Sequence, residues 1–229
     1  MTSPHALSVA LLLADARLPS GGHAHSASLE PALLGGMPTG DVPAWIVGRA
    51  TTVSLVEAGT AVVTARLLAG ADGFGLADVV RAWAARTPAP ALRDAARLLG
   101  RGYLRLARTL WGDAPAVRAL VAHDAAHGPL PRAVVLGAVA AATGLPAEDA
   151  VRLTVYDDAQ TAASALLKLE PLDPVTPARW VLEACAAAEQ HVLRVAACTT
   201  PEDIPASGSP QTEGWAQAHA LLSQRLFRA

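Results

Sequence analysis

Residues 92–110, LRDAARLLGRGYLRLARTL, decide the fold class of this chain. Apolar residues return at every third or fourth position, and arginines occupy positions between them. The apolar set is Leu92, Ala95, Ala96, Leu99, Tyr103, Leu106 and Leu110, and the basic set is Arg93, Arg97, Arg101, Arg105 and Arg108. This spacing is typical of a helix that buries one face and exposes the other. The stretch therefore predicts an amphipathic α-helix with an arginine-rich outer face.

The rest of the chain predicts more helices and no strand. Of its 229 residues, 52% are hydrophobic and only 4% are aromatic; alanine and leucine favour helix, whereas the aromatic residues that favour strands are scarce. The longest predicted helix begins at Asp41 and contains Gly48 and Gly59, where it could bend. The predicted helices cover 7–16, 26–34, 41–70, 76–86, 92–110, 116–126, 131–143, 146–169, 177–197 and 215–227. We expect an all-α, single-domain helical bundle of roughly nine to ten helices.

Charge and hydropathy exclude several classes of protein. The chain has 18 Lys+Arg against 20 Asp+Glu, a net charge of -2, and a mean hydropathy of +0.32. It is too hydrophobic to be disordered and too weakly charged to be drawn to nucleic acid or an anionic membrane. Cys185 and Cys198 are too few for a disulfide framework or a thiolate zinc site. Residues 6–14 lack the flanks of a signal peptide, and no stretch is long enough for a membrane span. We expect a cytoplasmic protein.

The composition changes near the C-terminus. Residues 199–214, TTPEDIPASGSPQTEG, are rich in Pro, Ser, Gly and Thr and predict a flexible linker. The linker would join a helical bundle domain over 1–198 to a C-terminal partner-docking segment over 215–229. Apolar residues and arginines share that segment, so we expect it to dock either on its own bundle or on another chain.

The loop Leu18–Ser26, LPSGGHAHS, is the most unusual stretch. Its proline and glycine pair predict a built turn, and Ser26 can cap the helix that follows. His23 and His25 are weak candidates for metal ligands, because no acidic or thiol ligand accompanies them in the loop. The glycine pair lacks the lysine of a phosphate-binding loop. We interpret the stretch as a structural turn or an interface loop.

Other polar groups do not form a recognisable catalytic set. His123 and His127 have the spacing of a zinc-protease helix, but Asp124 stands where that motif has glutamate, and the helix C-terminus accounts for the histidines better. Glu57 lies among apolar residues and is either a paired interior acid or an exposed one. No nucleophile elbow and no dinucleotide-binding glycine motif is present. We expect no enzymatic activity and no cofactor.

Four stretches of the chain, taken together, resemble the urease accessory protein UreF family. Residues 11–30, LLLADARLPSGGHAHSASLE, are similar to the family's N-terminal signature, and residues 219–229, HALLSQRLFRA, are similar to its C-terminal one. Residues 128–146, GPLPRAVVLGAVAAATGLP, and the proline break at 169–172 fit between them in order. The chain departs from the family pattern at His23, usually phenylalanine, at Ala27 and Ser28, usually a glycine-rich pair, and also at 172–174 and Gln224.

The resemblance implies an all-helical, dimeric and non-enzymatic chaperone for nickel insertion into urease. It also implies the partners UreD (also called UreH), the GTPase UreG and apo-urease, and a C-terminal tail that becomes ordered on UreD. Leu226 and Phe227 would be buried anchors, and Arg225 and Arg228 hydrogen-bond donors. The expected partner contacts are Leu18, Pro19, Ser20, Gly21, Gly22, His23, His25, Ser26, His219, Arg225, Leu226, Phe227 and Arg228.

Two other functions remain open on the sequence alone. The first is a metal-binding helical enzyme that uses His23, His25, His123 and His127. The second is a helical regulatory or nucleic-acid-binding domain whose contact face is the arginine-rich helix over 93–108. Each depends on tertiary structure, which decides whether the histidines converge and whether the arginines are free.

Overall fold

The computed structural model describes residues 4–222, 226 and 227, apart from the side chains of Pro4 and His23. These residues form eleven α-helices and three short 3-10 helices, at Gly22–Ala24, Thr39–Asp41 and Pro201–Asp203, and no strand. The predicted all-α fold is confirmed. The α-helices are α1 (Pro4–Leu13), α2 (Leu29–Leu34), α3 (Val42–Ala50), α4 (Val53–Leu68), α5 (Leu76–Ala85), α6 (Pro90–Trp111), α7 (Pro115–His127), α8 (Arg132–Thr143), α9 (Ala147–Leu169), α10 (Val175–Ala196) and α11 (Pro210–His219).

The long helix predicted over 41–70 is two helices, α3 and α4. The break lies at Thr51 and Thr52, and not at Gly48 or Gly59, which are inside α3 and α4. The hydroxyl of Thr51 donates to the carbonyl of Val47 at 3.0 Å, and that of Thr52 donates to the carbonyl of Gly48 at 2.6 Å. Such bonds to the preceding turn compete with helix continuation, and Thr52 takes the non-helical angles φ -129°, ψ -92°.

One apolar run in the described part of the chain, Thr39–Leu68, is long and apolar enough to cross a membrane by composition. It comprises the Thr39–Asp41 turn, α3 and α4, and most of it is buried inside the fold. Burial of this kind is what the core of a helical bundle requires of its central helices.

The core is built around α4, α8 and α9. Ten of the twelve residues of α8 are buried, because α4, α6, α7 and α9 all pack against it. Gly137 allows α8 to approach α4 closely, since a Cβ there would lie 2.4 Å from the carbonyl oxygen of Ala61. Outside this centre, α10 packs on α9, α3 and α4, while α2 packs on α9 and α11.

α6 has the amphipathic character that residues 92–110 predict. Its buried residues are Gly100, Tyr103, Leu104 and Ala107, and this face packs against α8. Arg101, Arg105 and Arg108 are exposed on the outer face. The helix starts at Pro90 and ends at Trp111, slightly beyond the predicted limits at both ends.

Residues 199–214, predicted to be a flexible linker, carry several contacts to the bundle. The backbone N–H groups of Thr199 and Thr200 donate to the carboxylate of Asp203 and lower its pKa to about 2. Ile204 is buried, and its carbonyl accepts a 2.8 Å bond from Arg86 Nε. α11 begins at Pro210, inside the predicted linker, and it ends at His219, so the helix predicted over 215–227 has different bounds.

Candidate functional site

The Leu18–Ser26 loop is a fixed turn seated on α6. Leu18, Ser20, His25 and Ser26 are buried, whereas Pro19 is exposed. Arg105 of α6 donates to the carbonyl of Pro19 at 3.2 Å. The loop lies so close to α6 that a Cβ on Gly102 would be 1.9 Å from the carbonyl oxygen of Ser20. The absence of a side chain at position 102 is therefore part of what holds the loop in place.

The described part of the C-terminal tail, Leu226 and Phe227, is bound to the body of the protein through Glu30 of α2. The backbone N–H of Leu226 donates to Glu30 Oε1 and that of Phe227 to Glu30 Oε2, both at 2.8 Å. Hydrogen bonds to an ionised acceptor are stronger than neutral ones. The ring of Phe227 is buried, with Lys168 Nζ 5.2 Å from its centroid, but Leu226 is 62% exposed.

His219, at the end of α11, completes the attachment. Its side chain is buried, and its Nε2 lies 3.2 Å from Glu30 Oε2, an ion pair when the ring is protonated. The Ser26 hydroxyl accepts a 3.3 Å hydrogen bond from the backbone N–H of Glu30. The helix begins at Leu29 with Ser28 at its N-cap, so Ser26 does not hold the capping position that the sequence predicts. Glu30 thus contacts the loop through its backbone N–H, and the tail and α11 through its carboxylate.

The two regions predicted to contact partners therefore meet, although they lie at opposite ends of the sequence. Neither Glu30 nor Lys168 was among the residues that the sequence predicts as partner contacts. The sequence held one signal for Glu30. It is a carboxylate just after the unusual loop, and if the loop is buried, this charge needs partners. Arg225 and Arg228 lie outside the described residues, as does the side chain of His23.

A cavity of about 340 Å³ lies beneath the loop and the tail. Ser20, Gly22 and His25 line it from the loop, and Phe227 lines it from the tail. α6 and α9 contribute its longer walls. Its floor is charged: it contains Arg49, Glu57, Arg132, Asp157 and Asp158.

Two ion pairs organise that floor. Arg49 donates to both carboxylate oxygens of Asp158, at 3.0 and 2.6 Å, and the Ser54 hydroxyl donates to the same group at 2.9 Å. Although burial opposes it, Arg49 lowers the pKa of Asp158. Arg132 pairs with Asp157, and this carboxylate raises the pKa of Arg132 above its usual value against the effect of burial. Each arginine is therefore neutralised in place by a carboxylate.

Glu57 is the floor acid without a paired cation. Its Oε1 accepts a 2.6 Å hydrogen bond from the indole N–H of the fully buried Trp83. Burial raises the pKa of Glu57 above its ordinary 4.5, more than the nearby Arg132 lowers it. Of the two alternatives that the sequence leaves open, the structure shows an interior acid whose remaining accessible surface faces the cavity.

Glu57→Gln is expected to stabilise the protein above pH 4.5. The raised pKa means that the folded state holds a proton more tightly than the unfolded state, so stability is lost as pH rises from 4.5 through the folded-state pKa. Glutamine can still accept the Trp83 bond but never ionises, so its advantage grows across that window. Urea unfolding at pH 5 and pH 8 measures it. Glu202→Gln, at an exposed position, should show no such pH dependence, and an equal effect at both pH values for Glu57→Gln would contradict the assignment.

Of the histidines considered as metal ligands, the three with described side chains, His25, His123 and His127, do not converge on one site. His25 lines the cavity, whereas the rings of His123 and His127 stack on each other, with centroids 4.3 Å apart, at the C-terminal end of α7. Partial desolvation and the neighbouring His127 lower the pKa of His123. The described residues contain no group of three or more His, Cys, Asp or Glu side chains placed to hold a metal ion.

Comparison with known proteins identifies the family. The family model for UreF matches residues 39–185, more than half of the chain. The chain belongs to the UreF family of urease accessory proteins. It is 40% identical over 171 residues to the urease accessory protein UreF of Mycobacterium tuberculosis strain H37Ra, which covers 73% of this chain and 75% of that protein. It is 36% identical over 228 residues to UreF of Mycobacterium sp. strain JLS, which covers 96% of this chain and 98% of that protein.

UreF of Mycobacterium marinum is similar over the same extent, with 35% identity across 228 residues, 96% of this chain and 98% of that protein.

One departure of this chain from the UreF family pattern lies in the turn before α2. Ala27 and Ser28, which stand where a glycine-rich pair is usual, have the positive φ angles 50° and 68°. Glycine adopts this left-handed region without steric cost, so the turn into α2 retains a geometry suited to glycine even though this chain has side chains there.

Proposed function

We propose that this chain is a cytoplasmic, non-enzymatic chaperone that holds UreD and UreG together for GTP-dependent nickel insertion into apo-urease. One observation carries the proposal: the Glu30 carboxylate holds the C-terminal tail beside the N-terminal loop, whose Ser26 hydroxyl accepts a bond from the Glu30 backbone N–H. A scaffold acts by presenting a fixed surface, and a tail and a loop that both bond to one buried residue are a means of fixing it.

The exposed side chains around Glu30 suit a partner interface. Leu226 is 62% exposed and Leu34, one helical turn beyond Glu30 in α2, is 63% exposed. Leu221 and Leu222 are also exposed between α11 and the tail. A grouping of large apolar side chains at the surface is characteristic of a protein interaction site. We assign this face, with the exposed Pro19 of the loop, to UreD.

Phe227 has a different role from Leu226 in this proposal. Because Phe227 is buried in its own bundle, it fixes the tail and leaves Leu226 free for the partner. Leu18, Ser20, His25, Ser26 and His219 are likewise buried and shape the surface from below. Gly21, Gly22, His23, Arg225 and Arg228 remain proposed contacts.

In this mechanism the scaffold acts only by positioning its partners. UreG supplies GTP hydrolysis and carries the nickel, which is the cargo and not a resident cofactor of this chain. Holding UreG beside UreD and apo-urease raises its effective concentration at the point of delivery without chemistry from the scaffold. A homodimer would present two such surfaces and so place two GTPases on one assembly.

Co-purification of this chain with UreD and UreG tests the proposal. Ending the chain after Leu222 is expected to lower UreD affinity by at least about tenfold, because the tail surface is removed. Gly102→Ala should also weaken UreD binding, because its Cβ displaces the loop at Ser20. Gly48→Ala is the matched control: it is also helical, its Cβ meets no atom within 4 Å, and it should gain up to about 1 kcal/mol of stability with binding intact.

Thermal unfolding of each variant separates loss of binding from loss of folding. If the shortened chain and folded Gly102→Ala both capture UreD and UreG as well as the full chain does, the assignment of this surface is wrong. If the full chain itself captures neither protein, the scaffold function is wrong.

A further inference from the structure

α6 carries a row of like charges on its outer face. Arg97, Arg101, Arg105 and Arg108, which we call the arginine stripe, follow one another at spacings of four, four and three residues. These spacings place them on one side of the helix, over a length of about 16 Å. They lie about a quarter turn around the helix from the buried face that packs against α8.

The arginine stripe is poorly neutralised within the protein. Arg101 and Arg108 are exposed and have no acceptor among residues 4–222, 226 and 227. Arg105 donates only to the neutral carbonyl of Pro19, and Arg97 reaches Asp94 at 3.4 Å. By contrast, the cavity arginines Arg49 and Arg132 each hold a carboxylate. Like charges three and four residues apart destabilise a helix, and an anionic partner would relieve that repulsion.

The position of the arginine stripe connects it to the proposed interface. Arg105 bonds to the loop at Pro19, and Gly102, between Arg101 and Arg105 in sequence, is covered by Ser20. The loop therefore adjoins the stripe at Arg105, its third member. A partner that contacts the loop can extend directly along α6.

We propose that the arginine stripe is a docking site for an acidic protein surface, most simply a helix with Asp or Glu at spacings of three and four. Carboxylates at these spacings match the guanidinium positions and accept paired hydrogen bonds from them. Protein is favoured over nucleic acid because the net charge of the chain is -2, so the field beyond this one face does not attract a polyanion. That the physiological partner is a urease maturation factor rests on the proposed function.

A double charge-reversal variant of the full chain tests the site. Arg101→Glu with Arg108→Glu changes the two stripe side chains that have no partner in the described part of the chain, so the fold should be unaffected. The control is Arg179→Glu with Arg194→Glu, which makes the same change in net charge at exposed positions of α10. The probes are poly-L-glutamate, a DNA duplex of about 20 base pairs and the UreD–UreG pair, each titrated at low and at physiological salt.

The stripe variant is expected to bind poly-L-glutamate at least tenfold more weakly than the unaltered chain, with a smaller salt dependence, while the control changes less than twofold. Equal binding by the stripe variant and the unaltered chain would overturn the proposal. So would tighter binding of the duplex than of poly-L-glutamate with loss in the stripe variant, which would identify a nucleic-acid face. Failure of UreD–UreG to bind the unaltered chain counts against the scaffold function alone, since the poly-L-glutamate titration still decides the site.

Discussion

Arg132→Met is expected to destabilise the fold by about 3–5 kcal/mol, because it leaves the Asp157 carboxylate without its cation in a largely buried setting. The side chain of Arg132 is 10% exposed and that of Asp157 21%, so water cannot replace the lost partner fully. Glu57 also loses Arg132, the neighbouring cation that lowers its pKa most. The loss should therefore exceed that of an ordinary core truncation of similar volume.

Urea unfolding followed by circular dichroism measures the effect. Arg179→Met breaks an exposed pair with Glu183, whose side chains are 69% and 53% exposed, and should cost less than about 1 kcal/mol. Adding Asp157→Leu to Arg132→Met removes the stranded charge and should restore part of the stability. A loss below 1 kcal/mol for Arg132→Met alone would mean that the charge pair is solvated, contrary to its position in the cavity floor.

The helices were predictable from sequence to a large extent because helical periodicity is local. Residues 92–110 needed only their own spacing of apolar and basic positions to predict α6. The break between α3 and α4 was missed because it depends on two threonine hydroxyls that bond back to the preceding turn, a competition that glycine positions do not reveal. The start of α11 was missed because Pro210 was interpreted as part of a linker rather than as the first residue of a helix.

The site was predictable only in its parts. The unusual loop and the apolar tail each have a recognisable composition, but nothing local indicates that they meet. Their junction depends on a carboxylate that accepts hydrogen bonds from residues 196 and 197 positions away. The cavity floor has the same character, since Arg49 and Asp158 are separated by 109 positions. Such pairings are set by the packing of helices that are distant in sequence, and local sequence patterns do not reveal that packing.

In the proposed function, fixing the tail and forming the interface are one event. Phe227 seats in its own bundle and Glu30 holds the two adjacent backbone N–H groups, so the exposed Leu226 has a defined position only while both contacts persist. A partner that binds Leu226 and the neighbouring leucines favours the docked tail and stabilises it by linkage. Weakening the carboxylate contact should therefore reduce partner affinity even if the partner never touches Glu30.

Glu30→Gln is expected to release the tail, because the amide keeps one acceptor oxygen but turns an NH₂ group toward the second backbone N–H. A hydrogen bond to a charged acceptor contributes about 1.5–3 kcal/mol, so amide exchange at residues 226 and 227 should become roughly 10- to 100-fold faster. UreD affinity should fall by about tenfold, and hydrogen exchange by mass spectrometry together with UreD titration measures both. Glu202→Gln, at an exposed position, is the isosteric control and should change neither. Faster exchange with unchanged UreD affinity would show that tail docking and partner binding are independent, whereas unchanged exchange would show that Glu30 does not hold the tail.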